Sequence, residues 1–157
     1  MRVDYFESFP DGASALVDLE KALHKGPLEP ELMELVKIRA SQINGCGYCL
    51  AMHTRDARAR GESQVRLDTV TAWRETPFFN ERERAALTWC ESLTTLSHTG
   101  ASDADYAVVE AAFSPEEIAA LTFAIVAING WNRLPVGFRE PIGSYVSRRH
   151  PERVAVQ

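Results

Sequence analysis

The chain has 157 residues, of which 45% are hydrophobic and 25% charged, and a formal net charge of −5. That length is one domain's worth and suffices to bury a core without disulfide staples. The acidic balance argues against nonspecific binding to nucleic acid or to anionic membrane, since both need a positive field.

The opening MRVDYFESFPDG has no basic stretch followed by an apolar one, so no secretory signal is expected and a cytoplasmic location is. The longest mostly apolar run, residues 118–128, is far short of the roughly 20 residues that span a bilayer.

Taken in chain order, the punctuation predicts an all-α single domain, a bundle of about six to seven helices. Leu16, Leu19 and Leu23 make an apolar stripe in a first helix over residues 12–25, which Gly26-Pro27 ends. Pro30 suits the first turn of a second, with Leu32, Leu35, Val36, Ala40 and Ile43 as its stripe and Asn44-Gly45 as its close. A third helix is expected from Cys46 to Arg60, ended by Gly61. Ser63 caps a fourth carrying Val65, Leu67, Val70 and Trp73, broken near Pro77. Asn80 with Glu83 reads as a capping box, with Phe79 as staple residue, for a fifth helix running to Leu96. Ser102 with Asp105 starts a sixth.

Ser114, Pro115 and Glu117 give the clearest helix start in the chain. This seventh helix is apolar nearly all round, which places it at the centre or in a subunit interface. After Leu134, the residues Pro135, Gly137, Pro141 and Gly143 predict an irregular tail. Only Val3-Asp4-Tyr5-Phe6 hints at a strand.

The chemistry concentrates in Cys46-Gly47-Tyr48-Cys49 and His53. A thioredoxin-type pair follows a strand, whereas this one follows an amphipathic helix. At about 100° per residue, Cys46, Cys49 and His53 fall within about 60° of arc on one helix face. Cysteines in a first helical turn meet the positive end of the dipole, which stabilises a thiolate. A histidine four residues on can relay a proton. The pair can also close a disulfide, which is equipment for reversible thiol oxidation.

Other readings stay open on spacing alone. The cysteines could be buried small hydrophobes. They could also hold zinc with His53, with Glu34 or water as fourth ligand, although the second ligand pair of a structural zinc site is missing. Cys90, among Leu87, Trp89 and Leu93, reads as a buried structural thiol. His24 and His98 fall at helix ends, where capping or charge–dipole roles are the default. Arg55, Arg58, Arg60 and Arg66 read as a solvated basic face.

The run ELVKIRASQINGCGYCLAMH at residues 34–53 resembles the core of the AhpD-like alkylhydroperoxidases of the carboxymuconolactone decarboxylase superfamily. The runs FSPEE at 113–117 and INGWNRL at 128–134 resemble later parts of that family. The likeness covers roughly residues 28–135, and the cysteine pair separates the chain from the decarboxylase branch.

The resemblance implies an all-α fold assembled as a homo-oligomer, a trimer or hexamer. It implies a peroxide substrate, a dithiol reductant or redox adaptor protein as partner, and no metal or organic cofactor. Cys49 would be the peroxidatic thiol, Cys46 the resolving thiol, and His53 with Glu34 a proton relay. The chain has Tyr48 where founding members carry a histidine. Two alternatives are a general disulfide reductase or redox sensor, and a non-catalytic helical oligomer binding a metal or ligand.

Two readings pull against the resemblance. Glu34 lies about 160° from Leu32, so periodicity alone assigns it to a solvated face. Helix-dipole reasoning favours Cys46 as the reactive thiol, whereas the resemblance favours Cys49.

Overall fold

The computed structural model describes residues 1–143 and Tyr145. Among them there is no strand, and the fold is all-α, as expected. The long helices are α2 (Pro10–Leu23), α3 (Pro30–Ile43), α4 (Gly47–Ala59), α6 (Glu81–Thr94), α8 (Asp103–Ala112) and α9 (Pro115–Phe138). Shorter pieces are α1 (Tyr5–Ser8), α5 (Gln64–Thr69), which runs into a 3₁₀ segment (Val70–Glu75), and α7 (Leu96–Thr99).

The helix starts follow their capping chemistry. Asn80 and Ser114 each close a reciprocal capping box with Glu83 and Glu117. Ser63 and Ser102 accept from the backbone N–H groups of Arg66 and Asp105.

Three expectations about local structure are corrected. The strand hint at residues 3–6 is a helix start, because the Asp4 carboxylate accepts from the N–H groups of Phe6 and Glu7. The fourth predicted helix breaks at Ala72, whose φ of −118° is not helical. The tail after Leu134 stays helical to Phe138 despite the internal Pro135. Tertiary bonds hold that last turn: Arg2 N–H donates to the Phe138 carbonyl at 2.6 Å, and the Tyr5 ring stacks on Phe138 at 5.9 Å.

Helix α3 is the spine, buried on every side. Leu32, Met33, Val36 and Ala40 enter a core with Trp89, Leu121, Ile125 and Ile128. Leu35 and Ile38 enter a second core with Leu67, Val70, Trp73 and Leu87. Between these apolar faces lies a buried polar stripe, Glu34, Lys37 and Ser41, at i, i+3 and i+7.

Helix α9 buries Ile118, Leu121, Ile125 and Ile128 in the first core and leaves Phe123 and Val126 half-exposed. No helix among the described residues is long and apolar enough to cross a membrane.

Candidate active site

The polar stripe of α3 makes one bond to each neighbour. The Ser41 hydroxyl accepts from the Asn132 amide of α9 at 3.0 Å, and Asn44 donates to Asn132 and Asn129, each at 2.9 Å. These bonds pin the corner where α3 ends. Gly45 then turns the chain at φ 66°, a conformation that costs a side-chain-bearing residue about 1 kcal/mol. The next residue is Cys46.

Cys46 is the N-cap of α4, and its Sγ accepts from the Cys49 N–H at 3.2 Å. The two cysteines form a disulfide, with their Cα atoms 5.3 Å apart. Both are buried, at 0% and 1% exposure. Gly47 packs against the Ile142 side chain, whose Cδ1 would lie 2.9 Å from a Cβ placed there.

One turn further along α4, His53 Nδ1 lies 2.9 Å from Glu34 Oε2. A carboxylate can only accept, so Nδ1 carries the proton and Nε2 is left for other chemistry. Glu34 is 6% exposed, which overturns its assignment to a solvated face. Helical periodicity failed because α3 has no solvated face. Burial, the largest single influence, raises the Glu34 pKa, but the His53 hydrogen bond and the charges around it together outweigh burial. Lys37 and Arg60 add to that pull, and the carboxyl is held below its usual range. Arg60 Nε stands 4.0 Å from Glu34 Oε1.

Cys49, His53 and Glu34 line one cavity of about 370 Å³. Its apolar wall includes Tyr5, Phe6, Met52 and Trp131, with the Phe6 and Trp131 rings stacked at 6.4 Å. Its polar wall adds Lys37, Glu20 and Asp56. Lys37 is 3% exposed, and its Nζ donates to Glu20 Oε2 at 2.6 Å. Tyr145 closes one side, its hydroxyl donating to Asp56 Oδ2 at 2.7 Å.

Cys46 lines a different cavity, of about 230 Å³, with Val136, Arg139 and Ile142. Thus the structure brings the four sequence candidates together but separates the surroundings of the two cysteines.

Lys37, Glu20, Asp56 and Tyr145 were missed by sequence reasoning. A signal for Lys37 existed in the polar i, i+3, i+7 stripe inside an otherwise apolar helix. Lys37→Met is expected to cost about 3 kcal/mol, because it leaves a partly buried Glu20 carboxylate without its nearest cation. It should also move the acid limb of Cys49 reactivity to higher pH, since one cation that holds Glu34 ionised is gone. Denaturant unfolding and the pH profile of thiol alkylation check the two effects.

The remaining candidates resolve separately. Cys90 is fully buried, its Sγ donating to the Val36 carbonyl, and burial pushes its thiol up to about 12. His24 ends α2, with Nδ1 2.7 Å from the Glu20 carbonyl. The arginines are not a common solvated face. Arg55 is buried and donates to the Tyr145 carbonyl, while Arg66 is paired with Glu62 and Glu83. Among the described residues no three His, Cys, Asp or Glu side chains gather as a metal-holding group.

Comparison with known proteins gives the family and the fold. The carboxymuconolactone decarboxylase family pattern matches residues 10–92. The chain is 37% identical to YdfG, an uncharacterised protein of Bacillus subtilis, over 86% of this chain and 92% of that one. A solved structure from Agrobacterium tumefaciens superposes with a TM-score of 0.88 at 40% identity. It covers 92% of this chain and 99% of the other, a protein of unknown function provisionally ascribed to AhpD-type antioxidant defence. The debrominase Bmp8 shares the fold at a TM-score of 0.79 and 20% identity, over 88% of this chain and 75% of its own. With its cysteine pair, its all-α fold and these relatives, the chain belongs to the carboxymuconolactone decarboxylase family, on the AhpD-like side.

Proposed function

We propose that the chain is a cysteine-based peroxidase that reduces alkyl hydroperoxides, cycling Cys46 and Cys49 between dithiol and disulfide. The fold does not decide this, since a debrominase shares it; the site carries the reading. The supporting observation is that Cys49, His53 and Glu34 line one cavity while Cys49 is bonded to Cys46.

His53 Nε2 takes the proton of the Cys49 thiol; the thiolate attacks the distal peroxide oxygen, and the O–O bond breaks. Cys49 becomes a sulfenic acid, and the alkoxide leaves as the alcohol after taking a proton from His53 Nε2. Glu34, held ionised, stabilises the imidazolium before that transfer and fixes the ring orientation. Cys46 then attacks the Cys49 sulfur; the S–S bond forms and the hydroxyl leaves as water. A dithiol restores the site, being itself oxidised by two electrons.

The cavity supports Cys49 over Cys46 as the attacking thiol, because only Cys49 shares it with His53. Burial of both sulfurs supports a small substrate over a protein disulfide. The half-exposed Phe123 and Val126 support self-association of the chain as a homo-oligomer.

The test starts from fully reduced protein and one equivalent of cumene hydroperoxide. The expected result is loss of two thiols per peroxide, quantitative Cys46–Cys49 disulfide and stoichiometric cumyl alcohol. Thiols that survive as long as those of an unfolded control would overturn the reading.

A further inference from the structure

The two cysteines of the disulfide belong to the walls of two cavities. Cys49 lines the larger one with His53, and Cys46 lines the smaller one with Val136, Arg139 and Ile142. Tyr48 and Pro135 line both and form the partition. We propose that the smaller cavity is the reductant's site. It admits the arm of a small dithiol, which attacks Cys46, so that peroxide and reductant reach the disulfide through different cavities. This rests on the peroxidase reading only for the identity of the oxidant; the exchange step concerns the disulfide however it was formed.

The shape and chemistry of the cavity fit that ligand. At about 230 Å³ it takes a short carbon chain, not a folded partner's surface. Pro135, Val136 and Ile142 give it an apolar side, while Arg139 and Glu140 give polar ends for the arm's polar groups. Ile142 packs directly on Gly47, so the wall of the cavity meets the Cys46–Cys49 loop itself.

The order of leaving groups fits as well. The incoming thiolate bonds to Cys46 Sγ, the protein S–S bond breaks, and Cys49 leaves as a thiolate. That thiolate lies four residues before His53 on α4, within reach of a proton from the imidazole side. The reductant's second thiolate then attacks its own sulfur in the mixed disulfide, closing a cyclic disulfide and expelling Cys46. The Cys49 N–H, 3.2 Å from Cys46 Sγ, receives that second thiolate. Two electrons pass from dithiol to protein, and both cysteines end reduced.

Regiochemistry tests the proposal. Disulfide-form protein is mixed briefly with 2-mercaptoethanol and quenched with iodoacetamide, and the peptide holding both cysteines is fragmented in a mass spectrometer. The expected product carries mercaptoethanol on Cys46 and the alkyl label on Cys49, in excess of about ten to one. Equal or reversed labelling would overturn the proposal.

Val136→Trp, at a half-exposed position, is the second arm. It should slow reduction of the disulfide by dithiothreitol at least about tenfold and leave oxidation of the reduced protein by cumene hydroperoxide at the wild-type rate. Unchanged reduction, or equal slowing of both half-reactions, would count against it. If wild-type protein ignores peroxide, the peroxidase reading fails, while the labelling pattern still decides the direction of exchange.

Discussion

Cys49→Ser is expected to abolish peroxide turnover, by at least about 10³-fold, whereas Cys46→Ser should consume one equivalent of peroxide and then stop. The asymmetry follows from position. Cys49 shares the larger cavity with His53, so a serine there removes the nucleophile where the proton donor stands. A serine hydroxyl at that site remains protonated at neutral pH and does not displace an alkoxide from oxygen. Cys46 lies on the other side of the loop, as N-cap of α4. Its replacement leaves the first step intact and removes the thiol that converts the sulfenic acid to a disulfide. Peroxide consumption by reduced, desalted protein without added thiol, followed by intact mass, checks both. The Cys46→Ser protein should gain one oxygen, and the Cys49→Ser protein should stay unmodified. Serine can cap the helix as Cys46 does, so Cys46→Ser should unfold at close to the denaturant midpoint of the reduced wild type.

Glu34→Gln is expected to slow Cys49 oxidation by about 10²-fold at neutral pH. Glutamine keeps the size and one hydrogen bond to His53 Nδ1, but it removes the charge that stabilises the imidazolium. Lys37 and Arg60 would then face His53 without the intervening anion, which disfavours the imidazolium further.

The same substitution has a stability signature with a defined sign. The folded-state pKa of Glu34 lies below its ordinary value. Its ionisation therefore stabilises the native state at neutral pH. That contribution is lost as the pH falls through the depressed folded-state value, below the usual carboxylate range. Wild-type protein should lose stability through that acidic window, and Glu34→Gln should lose less. Denaturant midpoints measured across that range, with the oxidation rate at each pH, separate the effect on folding from the effect on the thiol.

Most of the architecture was legible because helix boundaries are set by local chemistry. Ser114-Pro115 with Glu117, Asn80 with Glu83, and Ser63 announced their helices through groups that satisfy free backbone N–H. The failures came where distant residues decide the local structure. Pro135 was read as a helix breaker, but Arg2 and Tyr5 reach across from the other end of the chain and hold the turn that follows it. Asp4 looked like part of a strand because a capping carboxylate before an aromatic pair leaves no periodic trace.

The site divides along the same line. Cys46, Cys49 and His53 were legible from spacing on one helix. Glu34 rested on resemblance, since its own helix gave the opposite answer. A periodicity argument assumes one solvated face, and α3 has none: its polar stripe is satisfied by Glu20, His53 and Asn132 from three other helices. Partners spread over α2, α4 and α9 leave no pattern that a single window of sequence can show. The separation of the two cysteines between two cavities is equally a tertiary feature, created where Pro135, Val136 and Ile142 pack against the loop.

The most direct measurement asks which sulfur meets the peroxide. Cys46→Ser and Cys49→Ser proteins are each treated with one equivalent of cumene hydroperoxide and then with dimedone, which captures sulfenic acids, and the adducts are located by peptide mass. A stoichiometric adduct on Cys49 in the first variant, with Cys46 of the second unmodified, is the predicted result. An adduct on Cys46 with none on Cys49, or no adduct in either protein, would contradict it.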